Sequence, residues 1–255
     1  MNMQAMIFAA GKGTRLKPIT DTMPKAMVEV DGQPLIRRVI DKLKKAGARR
    51  IVINVHHFAS QITDYLKAND NFNMDIRISD ESEQLLETGG GIRKAAPLFD
   101  AQLPILIHNV DILSNVDLKR LYQMAAKEEN DERQVDAVML VSHRVTKRYL
   151  LFDKDMHLVG WTNIETGEVK SPYPDLKVED CQKYAFAGIH VISPRLFPLM
   201  NGFPEKFSII DFYLKACSTR RIVGYVKDDL QLMDIGKLDT LQQASQFLHV
   251  LEQSS

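Results

Sequence analysis

The strongest constraint on this chain lies in its opening segment, where the apolar run Met6-Ile-Phe-Ala-Ala10 breaks into Gly11-Lys-Gly-Thr-Arg15-Leu16. Met23-Pro24-Lys25 follows, and the apolar pattern resumes up to Val30. A buried-type strand therefore runs straight into a small-residue loop carrying cations. Glycine lets the backbone turn with positive φ and brings peptide N–H groups close to an anion, so Gly11 and Gly13 suit a phosphate-binding turn. Two familiar loops are excluded. A dinucleotide fingerprint needs a third glycine where Leu16 stands, and a Walker A loop needs Gly-Lys-Ser/Thr with a leading glycine where Met6 stands. What remains is a cluster of cations, Lys12, Arg15 and Lys25, around a glycine loop, and it is matched to a triphosphate.

Downstream, Asp31-Gly32 marks a turn, and Pro34 opens a helix with Leu35, Ile36, Val39, Ile40 and Leu43 at helical spacing up to Gly47. The run Arg50-Ile-Val-Ile-Asn-Val55 reads as a buried strand. A helix with Ile62, Tyr65 and Leu66 leads to a strand near residues 76–78. Glu87-Thr-Gly-Gly-Gly91 opens a further helix, and Leu103-Pro-Ile-Leu-Ile-His108 is the next central strand, ending in Asn109-Val-Asp111. Alternation of strands and helices implies right-handed crossovers and a mainly parallel sheet. Ligands collect at the carboxyl ends of such strands, so the loop at 9–15 and Asp111 are expected to face one crevice.

From about residue 135 the pattern turns more antiparallel. A strand is expected over residues 135–141, and Tyr149-Leu-Leu-Phe152 forms a hairpin with residues 157–161 around Asp153-Lys-Asp-Met. Residues 184–192 form a strand, Pro194 starts a short helix, and a helix over 208–217 turns Ile209, Phe212 and Tyr213 inward. The last strand, 223–226, precedes Leu232-Met-Asp234-Ile-Gly236. A final helix aligns Leu238, Leu241, Ala244, Leu248 and Leu251 on one face. Lys127-Glu-Glu-Asn-Asp-Glu-Arg133 reads as a solvated loop, and no repeat or low-complexity tract divides the chain.

Ala9-Ala-Gly-Lys-Gly-Thr-Arg-Leu16 with Pro24-Lys25 resembles the signature of the sugar-nucleotide pyrophosphorylases, which join a nucleoside triphosphate to a sugar 1-phosphate. The resemblance spans nearly the whole chain, from Met6 to about Leu248. It implies a Rossmann-like, glycosyltransferase-A-like α/β fold: three layers, α/β/α, with a mostly parallel mixed central sheet. One nucleotidyltransferase domain would cover residues 1–255, with a nucleotide-binding half over about 1–130 and a sugar-binding half over about 131–255. The wording Leu86-Glu-Thr-Gly-Gly-Gly-Ile92 is similar to the uridylyltransferases that act on N-acetylmuramate 1-phosphate in bacterial cell-wall recycling. Mannose- or heptose-1-phosphate guanylyltransferases, a choline- or glycerol-type acceptor, and a catalytically silent nucleotide-binding homologue are the other readings.

Nucleotidyl transfer requires the triphosphate to be held, the α-phosphorus exposed to in-line attack, and the leaving pyrophosphate neutralised. Arg15 offers a planar fork for the β- and γ-phosphates, and Lys25 a point charge for the α-phosphate or the incoming sugar phosphate. The attacking phosphate monoester is already largely ionised, since its second pKa is about 6. No general base is needed. From the resemblance, Ala9, Ala10, Gly11, Lys12, Gly13, Thr14, Glu81, Thr88 and Gly89 would bind the nucleotide, and Asn109, Asn163 and Gly188 the sugar. Asp111 and Asp234 match the family's metal-binding aspartates, which implies Mg²⁺ as cofactor.

The chain departs from the family in two places. Val110 stands where relatives often have glycine, and Thr162-Asn163-Ile164-Glu165 replaces a Glu-Lys-Pro stretch whose lysine holds a phosphate. Lys+Arg and Asp+Glu both number 33, so no global field draws the chain to nucleic acid or a membrane surface. Cys181 and Cys217 form neither a metal motif nor a disulfide framework, and no run approaches a membrane span. The expected setting is cytoplasmic, with NTP and sugar 1-phosphate as partners and a homo-oligomer left open.

Overall fold

The computed structural model describes residues 2–126 and 134–253, so the charged stretch 127–133 lies outside the described residues. Period-two alternation in the first strand, β1 (Met3–Phe8), builds two cores at once: Met3, Ala5 and Ile7 enter one apolar cluster and Met6 the other. After the glycine loop a two-residue hairpin pairs β2 (Glu29–Val30) with β3 (Gln33–Pro34). Helix α1 (Leu35–Ala46) buries Leu35, Ile36, Val39, Ile40 and Leu43. It stops at Gly47, where φ is 100° and the N–H closes onto the carbonyls of Leu43 and Lys44.

Strand β4 (Ala48–Val55), helix α2 (Ala59–Ala68), strand β5 (Asp75–Asp80), helix α3 (Glu87–Ala95) and strand β6 (Ile105–Asn109) follow in alternation. A short strand β7 (Ile112–Ser114) precedes α4 (Leu118–Ala125), which Asp117 caps by accepting the Arg120 N–H. The second half runs through β8 (Ala137–Ser142), β9 (Arg148–Phe152), β10 (Leu158–Asn163), β11 (Glu168–Lys170), β12 (Gln182–Ile192), α5 (Phe197–Met200) and α6 (Ile209–Ala216). It closes with β13 (Ile222–Val226), β14 (Leu232–Asp234) and α7 (Leu238–Gln253).

The central sheet is mixed and mostly parallel. β5, β4, β1 and β6 are joined by parallel pairing, β12 adds antiparallel to β6, and β8 with its parallel neighbour β13 completes it. One core holds α1, α2, α4 and α7 against the sheet, the other α3, α5 and α6. An antiparallel extension, β9–β10–β11, branches from the start of β12. Pairing at that start (Gln182–Tyr184) and farther along (Ile189–Ile192) lets the eleven-residue β12 connect the two regions.

Most expected elements are present, including the hairpin about Asp153 and the inward set Ile209, Phe212 and Tyr213. Two short elements are not visible in the sequence pattern: the exposed edge strand β11, and the ribbon in which β14 pairs antiparallel with β7. Three-residue runs carry too little periodicity to be read locally. Leu238 departs from the expected inward face of α7 and is exposed at its first residue, whereas Ala244, Leu248 and Leu251 are buried. Cys181 and Cys217 are free thiols, and no helix among the described residues is long and apolar enough to cross a membrane.

Candidate active site

A buried relay of hydrogen bonds sets the loop after β1. The Ala9 N–H donates to Asn54 Oδ1 at 2.8 Å, Asn54 Nδ2 donates to Glu81 Oε1 at 2.8 Å, and the Leu86 N–H donates to Glu81 Oε2 at 3.0 Å. The relay ties together the ends of β1, β4 and β5 and the start of α3. Each member is withdrawn from water, so losing one partner leaves another unsatisfied, at about 1–3 kcal/mol for a neutral group. Asn54 is a residue that sequence reasoning missed. Its signal was a lone amide inside the apolar run that became β4.

Above this relay lies a cavity of ≈ 380 Å³. Of the residues expected at the nucleotide, Ala9, Ala10, Gly11, Gly13, Thr14, Arg15, Lys25 and Thr88 line it, together with Asn109 and Asp111. Gly13 takes φ +62°, as the turn requires. Lys12 is exposed and stands outside the lining. Two of the expected residues are engaged within the protein. Glu81 is fully buried and spends both carboxylate oxygens on the relay, and the Gly89 N–H donates to the Phe207 carbonyl at 2.9 Å. A Cβ on Gly89 would lie 2.3 Å from the Phe207 ring, so this glycine serves the close approach of α3 to the segment before α6.

The β7/β14 ribbon brings the two aspartates together across 123 positions of sequence. Asp234 pairs with Ile112, the residue after Asp111, and the Ile235 N–H donates to the Asp111 carbonyl at 2.8 Å. Lys25, nine-tenths buried, forms an ion pair with Asp111 Oδ2. Burial, and then the neighbouring Asp111 carboxylate, push Asp234 above the usual carboxylate range, while Lys25, Arg15 and Arg144 pull it back. Asp234 Oδ1 is buried with no donor among the described residues. Two adjacent carboxylates with an orphaned buried oxygen are a donor set that could hold a hard divalent cation.

Gly236 also lines the cavity and was missed. A Cβ there would lie 2.6 Å from Arg15 Nη2 and 2.7 Å from Asp234 Oδ1, so the absent side chain lets the guanidinium and the carboxylate converge. Burial drives His108 down to about 3, which keeps its ring neutral, and its Nδ1–H donates to the Asn109 carbonyl at 2.7 Å. That bond steadies the backbone one residue before Val110. The Val110 side chain is buried in the core, so its β-branch is accommodated.

The residues expected at the sugar divide between two clefts. Asn109 lines the first, and Gly188, at φ +74° in β12, lets the strand approach it: a Cβ would lie 2.8 Å from Asn109 Nδ2. Asn163 lines a second cleft of ≈ 550 Å³ over the antiparallel extension, and its Oδ1 accepts the Glu165 N–H at 3.0 Å. Thr88 of the first cleft accepts the Ile209 N–H at 2.9 Å, and Ser208 and Ile210 on either side line the second. The two clefts therefore share a wall.

Known proteins resemble this chain in sequence and in fold. The chain is 31% identical over 232 residues to N-acetylmuramate alpha-1-phosphate uridylyltransferase of Caulobacter vibrioides, covering 89% of each chain. It is 43% identical over 124 residues to the enzyme of the same name from Neisseria meningitidis, covering 49% of this chain and 53% of that one. Among solved structures, a UDP-glucose pyrophosphorylase complexed with UDP-glucose superposes with a TM-score of 0.76 at 18% identity, covering 98% of this chain and 99% of that one, a likeness of fold. The nucleotidyl transferase family profile matches residues 4–250, a span that holds the glycine-loop cavity and all of the fold but the outer ends of β1 and α7, and the chain belongs to the nucleotidyl transferase family.

Proposed function

We propose that this protein is a sugar-1-phosphate nucleotidyltransferase that makes UDP-N-acetylmuramate and pyrophosphate from UTP and N-acetylmuramate 1-phosphate, in the cytoplasm, as a step of cell-wall sugar recycling. The observation that carries the reaction class is the meeting of Arg15, Lys25 and Asp111 at one glycine-lined cavity, with Asp234 beside them against Gly236 of its wall. The choice of UTP and of the sugar is supported by the two uridylyltransferase relatives, one of them matched along most of its length.

In this reading the triphosphate lies along the loop at residues 9–15, with Arg15 on the β- and γ-phosphates. Lys25 exchanges the Asp111 carboxylate for an α-phosphate oxygen, where negative charge accumulates during transfer. A phosphate oxygen of the acceptor attacks the α-phosphorus; that P–O bond forms as the bond to the bridging oxygen breaks, and pyrophosphate leaves with the electron pair. Asp111 and Asp234 would hold Mg²⁺, which supplies charge neutralisation on phosphate oxygens. Asn109 and Gly188 border the path from the nucleotide to the acceptor.

The test is pyrophosphate release with Mg²⁺, and with EDTA in its place, for four NTPs crossed with 1-phosphates of N-acetylmuramate, N-acetylglucosamine, glucose, mannose and heptose. A single strong preference for UTP with N-acetylmuramate 1-phosphate is expected, abolished by EDTA. Preference for GTP with mannose or heptose 1-phosphate would replace the substrates. Nucleotide binding without release from any pair would leave a silent homologue.

A further inference from the structure

The second cleft carries charge that nucleotidyl transfer as described above does not use. Its floor is the antiparallel extension, with Arg148 on β9 and Trp161 and Asn163 on β10, and its far wall is α6 with Asp211. Lys170 stands 3.4 Å from Asp211 and 3.8 Å from Glu168 and lies over the Trp161 ring, so both acids of the cleft are engaged by one cation. Arg144 and Arg148 also line the cleft, are exposed, and have no anionic side-chain partner among the described residues. This contrasts with Lys147 between them in sequence, which pairs with Glu165 at 2.5 Å.

The two arginines stand at different depths relative to the reaction centre. Arg144 comes two residues after Ser142, which pairs with Ala185, three residues before the Gly188 that packs on Asn109 of the first cleft, so it belongs to the end where the clefts meet. Arg148 sits directly across the β9/β10 ladder from Asn163, on the sheet floor. A sugar 1-phosphate with only neutral substituents presents one anionic group, and one arginine is enough for it. Two unpaired guanidinium groups in one cleft, flanked by an aromatic ring able to cover a sugar face, match an acceptor with two anionic groups.

We propose that the acceptor is a sugar 1-phosphate that also bears a carboxylate, with Arg144 taking its phosphate, Arg148 its carboxylate, and Trp161 packing on the ring between them. Arg144 then occupies the role left open by the missing Glu-Lys-Pro lysine. Arg148 is the specificity-determining residue. The inference rests on the nucleotidyl-transfer reading and deepens it, by assigning selection of the acceptor to a charge that the sugar carries away from the reacting phosphate.

N-acetylmuramate 1-phosphate and N-acetylglucosamine 1-phosphate differ by a lactyl ether and its carboxylate, so the ratio of their kcat/KM values isolates that group. In the full chain, Arg148→Gln should lower the ratio about 10- to 100-fold, through the KM of the carboxylate acceptor. Arg148→Lys should restore part of it. Arg144→Gln should depress kcat/KM for both acceptors alike and leave the ratio in place, and thermal melts of all three variants check that they fold. A ratio untouched by Arg148→Gln, or equal losses on both acceptors, would overturn the assignment while leaving nucleotidyl transfer standing. Absence of pyrophosphate release by the wild-type chain with every acceptor would remove both readings together.

Discussion

The two clefts satisfy their charges in opposite ways. In the first, Lys25 is buried against Asp111, Asp234 is raised by burial and by its carboxylate neighbour, and the loop above is fixed by the Ala9–Asn54–Glu81 relay. In the second, Arg144 and Arg148 are exposed and unpaired by acids among the described residues. Charges held in a protein-lined cavity are pre-organised and need little rearrangement when charge develops on a phosphate. Exposed charges on a hairpin floor can be exchanged without disturbing a core, which suits them to selecting among acceptors. In the proposed reading the chemistry sits where the sheet is parallel and covered, and the selection where it is antiparallel and open.

The largest expected break in that contrast is Asp111→Ala. Turnover should fall at least about 10³-fold, beyond the loss of a single hydrogen-bond donor, because Lys25 loses its partner and the proposed cation site one of its two carboxylates. Pyrophosphate release against Mg²⁺ concentration measures it, and a rate within tenfold of wild type would remove the metal assignment. Lys25→Ala comes next, with kcat reduced about 10²- to 10³-fold for every acceptor. An unchanged rate there would mean that the triphosphate runs the other way along the loop.

Gly236→Ala sharpens the comparison by acting on the first cleft through shape alone. The added Cβ must displace the Arg15 guanidinium or the Asp234 carboxylate, so kcat/KM should drop about tenfold with the preference between acceptors retained. If activity held while Arg15 still bound nucleotide, the close approach would have no functional weight.

A last effect, on stability and without bearing on turnover, concerns the support of the β7/β14 ribbon. Lys42, half-buried, donates to the Ser114 carbonyl at 2.5 Å and to its hydroxyl at 2.9 Å, and desolvation lowers it from 10.5 to about 8. The unfolded chain keeps this proton up to pH 10.5, whereas the folded chain sheds it near 8. Stability of the wild type relative to Lys42→Met should therefore rise between pH 8 and 10.5, by up to about 3 kcal/mol. Urea melts of both chains across that window would show it. A difference that is flat with pH would mean that Lys42 titrates alike in the folded and unfolded chains.

Much of the fold was legible because helix and strand periods are local. Helix α1 could be read from Leu35 to Gly47, since five apolar residues at helical spacing end at a glycine that takes positive φ. The cavity was legible in part for the same reason: the loop from Ala9 to Arg15 is one contiguous segment, and Asp111 follows a strand end directly. The internal partners of Glu81 and Gly89 were not legible, because the residue type shows that a carboxylate or a glycine is needed without showing what it meets. One was consumed by Asn54 and Leu86, the other by Phe207.

Element order, the glycine loop after β1 and the family could be read from the sequence, because those depend on neighbours within a turn or a strand. Only the tertiary structure decided that Asp234 lies beside Asp111, that Gly236 makes room for Arg15, and that Thr88 and Ile209 join the two clefts. Each of these is a pairing between residues more than a hundred positions apart. No local preference records it, since it is set by the register in which distant strands and helices bury their apolar faces together.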